Sequence, residues 1–421
     1  MLGRGISRKL AAALATTALT TTLFCAAAAQ AEEITVLLPS FGADATTRQL
    51  LEGFTKESGI EVNLQTMSWD DIRPKIVTSM VAGTAPADAI EFDWSWIGQF
   101  GAAKWFTPLD DKFDAALIKD MPTASVFTYE GKLYGVPYAN DFRVNSVNMA
   151  LLKKAGITEA PKTPDDILKD AKILKDKKVV DYPVSIPLAA AEGTSTAWYF
   201  LTRMYGGELF DKDWKPLFTA KDSAGYKALE WIAQGLHDGL INPAMTGLTD
   251  MQVTASFAGG NAAIDLAGHP YDLATYNDPQ KSKVVGQVTY SLAAADPAKP
   301  MTIALPEAMG IPVNSKHKDA AVKFIKWWSE HQPEIYTAVS VLPTRTSALE
   351  GLAKDGKLQG GAEIAKYSAY TQAIFSQGTP AWYSEFSGAV SATINQVAKG
   401  QITVDAAVKQ IADRAQSAQQ Q

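Results

Sequence analysis

The sequence predicts an α/β protein of two domains. Three observations support this class: short apolar runs alternate with helical patterns, the chain is long, and its composition is that of a folded protein. It has 421 residues, of which 47% are hydrophobic and 10% aromatic. Strands that alternate with helices are typical of a mainly parallel sheet covered on both faces. Single cores rarely grow beyond about 250–300 residues, so two domains are expected.

The first five elements are predicted to be strand, helix, strand, helix and strand. The first strand is a short apolar run, and apolar residues alternate in the second strand. In the first helix Leu50, Leu51 and Phe54 share one face. Ligands of parallel sheets bind where the carboxyl ends of the strands meet, which favours the loops at 40–42 and 93–96. The five segments are 34–38, 47–56, 60–64, 71–82 and 89–92.

Later elements continue the mixed pattern. Residues 131–138 contain glycine turns and are predicted to form a hairpin or a paired strand. A proline at its start and two aspartates in its first turn predict a helix over 163–175. Helical patterns also cover 197–205, 223–237, 319–331 and 404–415.

Residues 1–31 predict export. Three basic residues precede an acid-free apolar run, and small residues precede Glu32, as in a secretory signal peptide cleaved before that residue. A transmembrane anchor is the alternative, but the run is short and ends at a cleavage pattern. A lipoprotein would acylate Cys25, the only cysteine, yet the preceding Phe24 is bulkier than usual there. We expect a soluble mature protein without cysteine.

The charge of the mature chain excludes some partners. Without the leader, 36 basic side chains stand against 45 acidic ones, a net charge of −9. An acidic surface attracts nucleic acid and anionic lipid poorly.

Motifs for catalysis are missing. The four histidines lack metal-ligand spacing, and the mature chain offers no thiolate. No G-x-S-x-G, H-E-x-x-H or phosphate-loop pattern is present. A carboxylate pair such as Glu91 and Asp93 could serve in glycoside hydrolysis, but a strand residue followed by a loop residue is the simpler interpretation. We therefore expect no enzyme activity, no metal and no cofactor.

Several tryptophans favour a sugar site. Trp94 and Trp96 follow a predicted strand, Trp198 opens a helix, and Trp382 lies in a loop. Flat rings cover the C–H faces of sugars while polar side chains bond to the hydroxyls. Core packing is the alternative for every ring. It is the expectation for the tryptophans in or beside helical patterns, which are Trp69, Trp105, Trp214, Trp231, Trp327 and Trp328.

Seven segments, taken in order, resemble the extracellular solute-binding proteins of ABC importers, in the group that takes up sugars and includes maltose-binding protein. Each segment is weak alone, but their number and order make the resemblance strong. They are FTKESGIEVNL (54–64), VAGTAPADAIEF (81–92), YEGKLYGVPY (129–138), RVNSVNMALLKKAGI (143–157), TPDDILKDAKILK (163–175), FAGGNAAIDLAGHP (257–270) and MGIPVNSKHKDAAVKFIKWW (309–328).

The resemblance implies a two-lobed periplasmic binding protein fold, with a solute cleft between the lobes and three hinge crossings. The implied crossings lie near 141–146, 305–310 and 343–347. The lobes would close over the solute by a hinge motion, and the closed form would dock on a membrane permease. The implied N-terminal lobe comprises 32–142 and 310–343, and the C-terminal lobe comprises 146–305 and 347–421.

The resemblance also implies a set of solute contacts. Arg143 matches a position that is often basic in the family, where it contacts solute or braces the hinge, and His269 is either a contact or a hydrogen-bonded loop histidine. The chain departs from the family pattern at 147–149, which have Val-Asn-Met where many relatives have Tyr-Asn-Lys. The implied contacts are Ser40, Phe41, Asp93, Trp94, Trp96, Asn140, Asp141, Arg143, Thr194, Trp198, His269 and Trp382.

These observations favour a periplasmic, monomeric binding protein that delivers a neutral mono- or oligosaccharide, or a polyol, to the permease of an ABC importer. A sugar phosphate would need several basic groups at one site. Arg143 is the basic group expected there, and Arg345 or His269 is the further candidate. A polyamine would use acids and aromatic rings and stays an alternative. A secreted carbohydrate-active enzyme, or a binding protein that serves a receptor, is also open.

Overall fold

The computed structural model of the protein describes residues 32–40 and 45–420. The predicted signal peptide and Phe41 lie outside the described residues. The strands are β1 (Glu32–Pro39), β2 (Ile60–Met67), β3 (Ala89–Asp93), β4 (Thr128–Tyr129), β5 (Lys132–Leu133), β6 (Gly135–Ala139), β7 (Val144–Asn148), β8 (Val184–Ser185), β9 (Ile264–Gly268), β10 (Val288–Ser291), β11 (Thr302–Ile303), β12 (Glu307–Gly310) and β13 (Thr371–Gln372).

Helices of five to sixteen residues connect and cover these strands. They are α1 (Ala45–Ser58), α2 (Trp69–Val81), α3 (Ile97–Ala102), α4 (Ala115–Lys119), α5 (Met149–Lys154), α6 (Pro164–Asp176), α7 (Glu192–Met204), α8 (Ala224–His237), α9 (Asp250–Ala258), α10 (Asp272–Tyr276), α11 (Lys318–Glu330), α12 (Gln332–Val339), α13 (Thr346–Lys354), α14 (Gly361–Ser368), α15 (Tyr383–Ala398) and α16 (Val404–Ala418).

The first sheet has the strand order β2-β1-β3-β12-β6. β1 pairs in parallel with β2 and β3, as the alternation of strands and helices predicts. β12 comes from much later in the chain and lies antiparallel between β3 and β6. Helices α1, α2, α11 and α12 pack around this sheet. The sheet and its helices, together with α3, are called the first lobe below.

The second sheet has the order β10-β7-β9-β8. Helices α7 and α9 contact β9, and α15 and α16 pack on α7 and α8. A capping box at Thr163 and Asp166 starts α6, where the proline and the aspartates predict a helix start. We call this sheet and its surrounding helices the second lobe. The two sheets with their helices confirm the α/β class, while the exact lobe boundaries stay a prediction.

The main difference from the predicted elements concerns α7. The helix begins at Glu192 rather than near 197, so Thr194 and Trp198 are helical. Small and β-branched residues at 193–196 have weak helix propensity, but burial and hydroxyl bonds offset this. The Ser195 hydroxyl, for example, donates to the Ser387 carbonyl at 2.8 Å.

Among the described helices, none combines the length and the apolar character that crossing a membrane requires.

Candidate functional site

The carboxyl end of β3 provides the first part of the site. Asp93 is 3% exposed, and its Oδ1 accepts the backbone N–H of Ser95 at 2.8 Å and the Ser95 hydroxyl. These bonds start a single helical turn that begins with Trp94. Burial raises the pKa of Asp93 well above its usual range, and repulsion from Glu307 and Glu192 raises it further. The hydrogen bonds from Ser95 lower this pKa, but they do not outweigh burial. β3 therefore ends with a buried acceptor and a ring in fixed positions.

Three carboxyl groups meet beside this turn, and we call them the carboxylate cluster: Glu91, Asp93 and Glu307. One oxygen from each lies within 4.8 Å of the others. Glu91 and Asp93 share one face of β3, and β12 pairs Glu307 with Asp93. The cluster thus arises from strand periodicity and one antiparallel register, and its spacing would also suit a metal ion.

The Tyr138 phenol links the two glutamates. Its oxygen lies 2.5 Å from Oε2 of Glu91 and 3.0 Å from Oε2 of Glu307. A phenol has one proton, so it donates to one carboxylate at a time. Burial and then Asp141 raise the pKa of Glu307 to about 7. Burial, with repulsion from Glu307, also raises the pKa of Glu91. Near neutral pH Glu307 is therefore partly protonated, and the cluster can both donate and accept hydrogen bonds.

A second group of charges lies where the chain passes from the first sheet to the second, and we call it the hinge network: Asp141, Arg143, Asp250 and His269. Arg143 Nη1 lies 2.8 Å from Asp141 Oδ2, and Nη2 lies 3.7 Å from Asp250. His269 Nδ1 lies 3.1 Å from the same Asp141 oxygen, and Nε2 lies 3.6 Å from Asp250. Two carboxylates thus hold two cations together.

The protonation of this network follows from its geometry. Arg143 Nη1 is only 2.7 Å from His269 Nδ1, so burial and the Arg143 charge oppose a charged histidine. The two aspartates outweigh them and raise the pKa of His269 to about 10. Burial opposes ionisation of Asp141 and Asp250, but His269 and Arg143 keep the pKa of both aspartates below the usual range. All four groups are charged at neutral pH.

The second lobe contributes a wall opposite Trp94. The Tyr383 hydroxyl donates to Oε1 of Glu192, and the Ser387 hydroxyl donates to Oε2 at 2.7 Å. The ring of Tyr383 meets Trp94 edge to face, with centroids 5.0 Å apart. The Glu192 charge also reaches Asp93 in the first lobe. Side chains of the two lobes therefore contact one another at Trp94.

The structure brings together five of the predicted contact residues: Asp93, Trp94, Asp141, Arg143 and His269. The other predicted contact residues that the structure describes lie elsewhere or at the margin of the site.

Two of those are polar residues beside the predicted cleft. Ser40 is exposed at the end of β1, and its backbone N–H donates to Met67 at 2.9 Å. Asn140 is 5% exposed, and its amide donates to Ser368 at 2.9 Å. The Asn140 side-chain oxygen is buried and accepts no hydrogen bond, so this position keeps a free acceptor.

Three tryptophans pack within the lobes instead of lining the cleft. Trp96 is 1% exposed and lies against Trp69. Trp198 is fully buried, and its indole N–H donates to the Gly225 carbonyl at 2.9 Å. Trp382 is half-buried and packs on Trp214 with centroids 5.1 Å apart. Core packing, the alternative interpretation of each ring, describes Trp96 and Trp198.

Thr194 is the last of the predicted contact residues that lie away from the site. It is 1% exposed, and its hydroxyl donates to the carbonyls of Pro187 and Ala189. Both bonds lie within the second lobe. The residue therefore fixes the start of α7.

Sequence reasoning missed four groups of the site. Tyr138 lies on β6 and Glu307 on β12, and β12 pairs with both β6 and β3. No local sequence pattern reports these pairings. Asp250 and Glu192 each lie in the first turn of a helix. Acids there usually indicate a favourable helix dipole alone, and this hid their role.

The family model for bacterial extracellular solute-binding proteins matches residues 39–334. A putative binding protein from Brucella abortus is 25% identical over 407 residues, which cover 93% of this chain and 95% of that protein. The diacetylchitobiose-binding protein of Streptomyces coelicolor is 23% identical over 76% of this chain and 74% of its own length.

Solved structures share the fold. Maltose-bound MalE3 of T. maritima superposes with a TM-score of 0.81 at 22% identity, covering 92% of this chain and 100% of that one. A solute-binding protein from Agrobacterium radiobacter in complex with ribitol gives a TM-score of 0.78 at 22% identity, covering 92% and 98%. These likenesses confirm the two-lobed periplasmic binding protein fold. The chain belongs to the family of bacterial extracellular solute-binding proteins.

Proposed function

We propose that this protein is the periplasmic component of an ABC importer that captures a carbohydrate or polyol between its lobes and delivers it to the membrane permease. The observation that carries this proposal is the carboxylate cluster facing Glu192 and an aromatic wall across the cleft. Ionised carboxylates only accept hydrogen bonds, and each hydroxyl of a polyol donates one. An aromatic ring covers the C–H surface between the hydroxyls.

A sugar phosphate fits this cleft less well. Arg143 already pairs with Asp141 and Asp250, and Arg345 pairs with Asp120 at 2.9 Å. A phosphate would have to displace those carboxylates, at the cost of leaving buried charges unpaired.

A polyamine is the second candidate, and the excess of acids in the cleft favours it. The carboxylate cluster and Glu192 form no ion pair within the part of the chain that the structure describes. Ammonium groups would supply the missing positive charge, whereas a carbohydrate would leave the cluster partly protonated.

Catalysis is not part of this proposal. The chain belongs to a family of solute-binding proteins, and a carboxylate pair alone does not make a hydrolase. The proposal includes a monomeric state and removal of residues 1–31 on export. A role in presenting solute to a receptor would use the same closed form.

Thermal unfolding of the protein, purified after export of the full chain, tests the proposal against sugars, polyols, sugar phosphates, putrescine and spermidine. A ligand that binds only the folded form stabilises it by about 2.7 kcal/mol at a hundred times its dissociation constant. We expect one carbohydrate or polyol to raise the melting temperature strongly and to be recovered unchanged.

A pair of variants assigns the effect to the cleft. Asp93→Asn should remove most of the ligand-induced shift, while Asp213→Asn should keep it, because the Asp213 side chain is 72% exposed and lies outside the cleft. A shift only with polyamines would establish the second candidate. A cleaved sugar would contradict the proposal and indicate an enzyme.

A further inference from the structure

The two lobes touch along one side of the cleft. Trp94 and Tyr383, whose rings meet there, are 4% and 1% exposed. Next to them α3 lies on the loop before α15. A Cβ built on Gly98 would come within 2.3 Å of the Thr379 carbonyl oxygen and 2.4 Å of the Pro380 carbonyl carbon. Backbone therefore lies directly against backbone on this side, and a solute chain has no exit between the lobes here.

The groups at the base of the cleft are equally enclosed. Asp141, Arg143 and His269 are 6%, 5% and 4% exposed. Asp250 retains the most exposure among the hinge network, 29% of its side chain. The side chains at the base of the cleft are thus nearly closed off from solvent, and the Asp141 charge reaches Glu307 of the carboxylate cluster.

The aromatic rings that could hold further sugar units are committed elsewhere. An oligosaccharide presents one apolar face per ring, and each face needs its own partner surface. Trp96 and Trp198 are within the cores of the lobes, and Trp382 covers Phe210 and Trp214. The ring of Tyr271 stacks on His269 with centroids 4.8 Å apart, and its hydroxyl lies 2.8 Å from His269 Nδ1. The Trp94 and Tyr383 pair is the aromatic contact that joins the two lobes.

We infer that the solute is a single sugar ring or an open-chain polyol of similar size, enclosed whole between the lobes, and that the Trp94–Tyr383 contact sets this length limit. The inference rests on the proposed function and narrows it from mono- or oligosaccharide to the shorter class. A second ring would have to separate Trp94 from Tyr383 and would keep Gly98 from reaching the loop at 379–381.

Matched ligand series measure the limit. The exported protein is titrated by calorimetry with a monosaccharide, its disaccharide and its trisaccharide, using glucose, maltose and maltotriose, then galactose and its β-1,4 oligomers, and with ribitol, mannitol, sorbitol and maltitol. One extra methylene in a fitted pocket costs about 10- to 200-fold. We therefore expect a second ring to weaken binding by at least about 100-fold relative to the best single-unit ligand.

A variant assigns the limit to the ring contact. Trp94→Ala should bring the dissociation constants of the disaccharide and of the single unit within about tenfold of each other, since it opens the side of the cleft that Trp94 and Tyr383 close. Trp382→Ala removes a ring of the same size that packs on Phe210 and Trp214 within the second lobe, and it should leave the preference unchanged. If Trp94→Ala does not fold, the wild-type series still decides the size limit.

The outcomes separate the two claims. Oligosaccharides that bind as tightly as, or more tightly than, single units would overturn the length limit and leave the proposed function standing. Binding of no carbohydrate or polyol would overturn both. An unchanged preference in Trp94→Ala would refute the role of this contact.

Discussion

At the scale of single residues, the hinge network explains how four buried charges coexist. Each cation of Arg143 and His269 lies near both Asp141 and Asp250. Removing one partner of a buried ion pair costs about 3–5 kcal/mol of stability, because the other charge is left buried and unpaired. These side chains therefore hold the segment between β6 and β7 in position.

The pKa of His269 predicts how stability depends on pH. An unfolded histidine titrates near pH 6.5, whereas the folded value is about 10. The folded state binds the proton more tightly, so this contribution is fully present below pH 6.5 and is lost as the pH rises through 10. We expect the free energy of unfolding, measured with urea, to fall between pH 7 and pH 10 by more in the wild type than in His269→Gln.

The control for this prediction is His237→Gln. The His237 side chain is 83% exposed. In His237→Gln the free energy of unfolding should therefore fall with pH as steeply as in the wild type. Equal slopes in wild type and His269→Gln would contradict the protonated state assigned to His269.

The carboxylate cluster predicts a second pH effect, on binding. The pKa of Glu307 is raised to about 7, so its charge appears between pH 6 and pH 8. A carboxylate accepts solute hydroxyls more strongly than its protonated form does. Solute affinity should therefore rise through this range, and calorimetry should show Glu307→Gln binding about tenfold more weakly at pH 8, a loss of about 1.4 kcal/mol. Glu330→Gln, at an exposed position of α11, is the control, and a flat profile in the wild type would refute the assignment.

At the scale of elements, much of the fold follows from local patterns, and the site follows from pairings that the patterns do not report. The short apolar runs at 34–38 and 89–92 and the alternating run at 60–64 predict β1, β3 and β2, because runs of this length between turn residues are typical of strands. The position of β12 between β3 and β6 depends on residues far apart in sequence. Glu307 therefore became visible as a site residue only in three dimensions.

The tryptophans illustrate the same limit. A ring after a predicted strand or before a helix has the same local sequence whether it lines a cleft or fills a core. Trp94 lies at the lobe contact, while Trp96, two positions on, points to Trp69 and Phe100. The difference is set by the turn that Asp93 caps, and spacing alone does not distinguish the two rings.

The packing of α3 predicts the effect of a single methyl group. Gly98→Ala would place Cβ within 2.3 Å of the Thr379 carbonyl oxygen, so the lobes could not reach their present contact. We expect solute affinity, measured by calorimetry, to fall at least tenfold while the melting temperature without solute changes little, because separated lobes relieve the clash.

The control is Gly388→Ala in α15. A Cβ at Gly388 meets nothing within 4 Å, so alanine should leave affinity unchanged and stabilise the helix by about 0.5–1 kcal/mol. An affinity of Gly98→Ala equal to that of the wild type would show that closure does not need this backbone contact.

At the scale of the whole molecule, function depends on two lobes whose contact is made by few side chains. Solute favours the closed form only through contacts that the open form lacks. We propose that those contacts are the carboxylate cluster from one lobe and Glu192 with Tyr383 from the other. The hinge network lies at the passage of the chain from one lobe to the other.

Closure predicts a measurable change of shape. Small-angle X-ray scattering should show a smaller radius of gyration once the cognate solute is added, because hinge closure brings the lobes together. Gly98→Ala should show a smaller decrease at saturating solute. An unchanged radius in the wild type would mean that binding does not shift the equilibrium between open and closed lobes.

The order of strands in the first sheet also affects how the chain folds as it is made. β3 and β6 have β12 between them, so this sheet stays split until synthesis has passed residue 310. The second sheet needs only residues 144–291 and can assemble first. Pairings between distant segments form slowly, so a nascent chain of this topology stays incompletely folded for a long interval. That delay keeps the polypeptide unfolded enough to cross a membrane, which suits a protein whose family acts outside the cytoplasm.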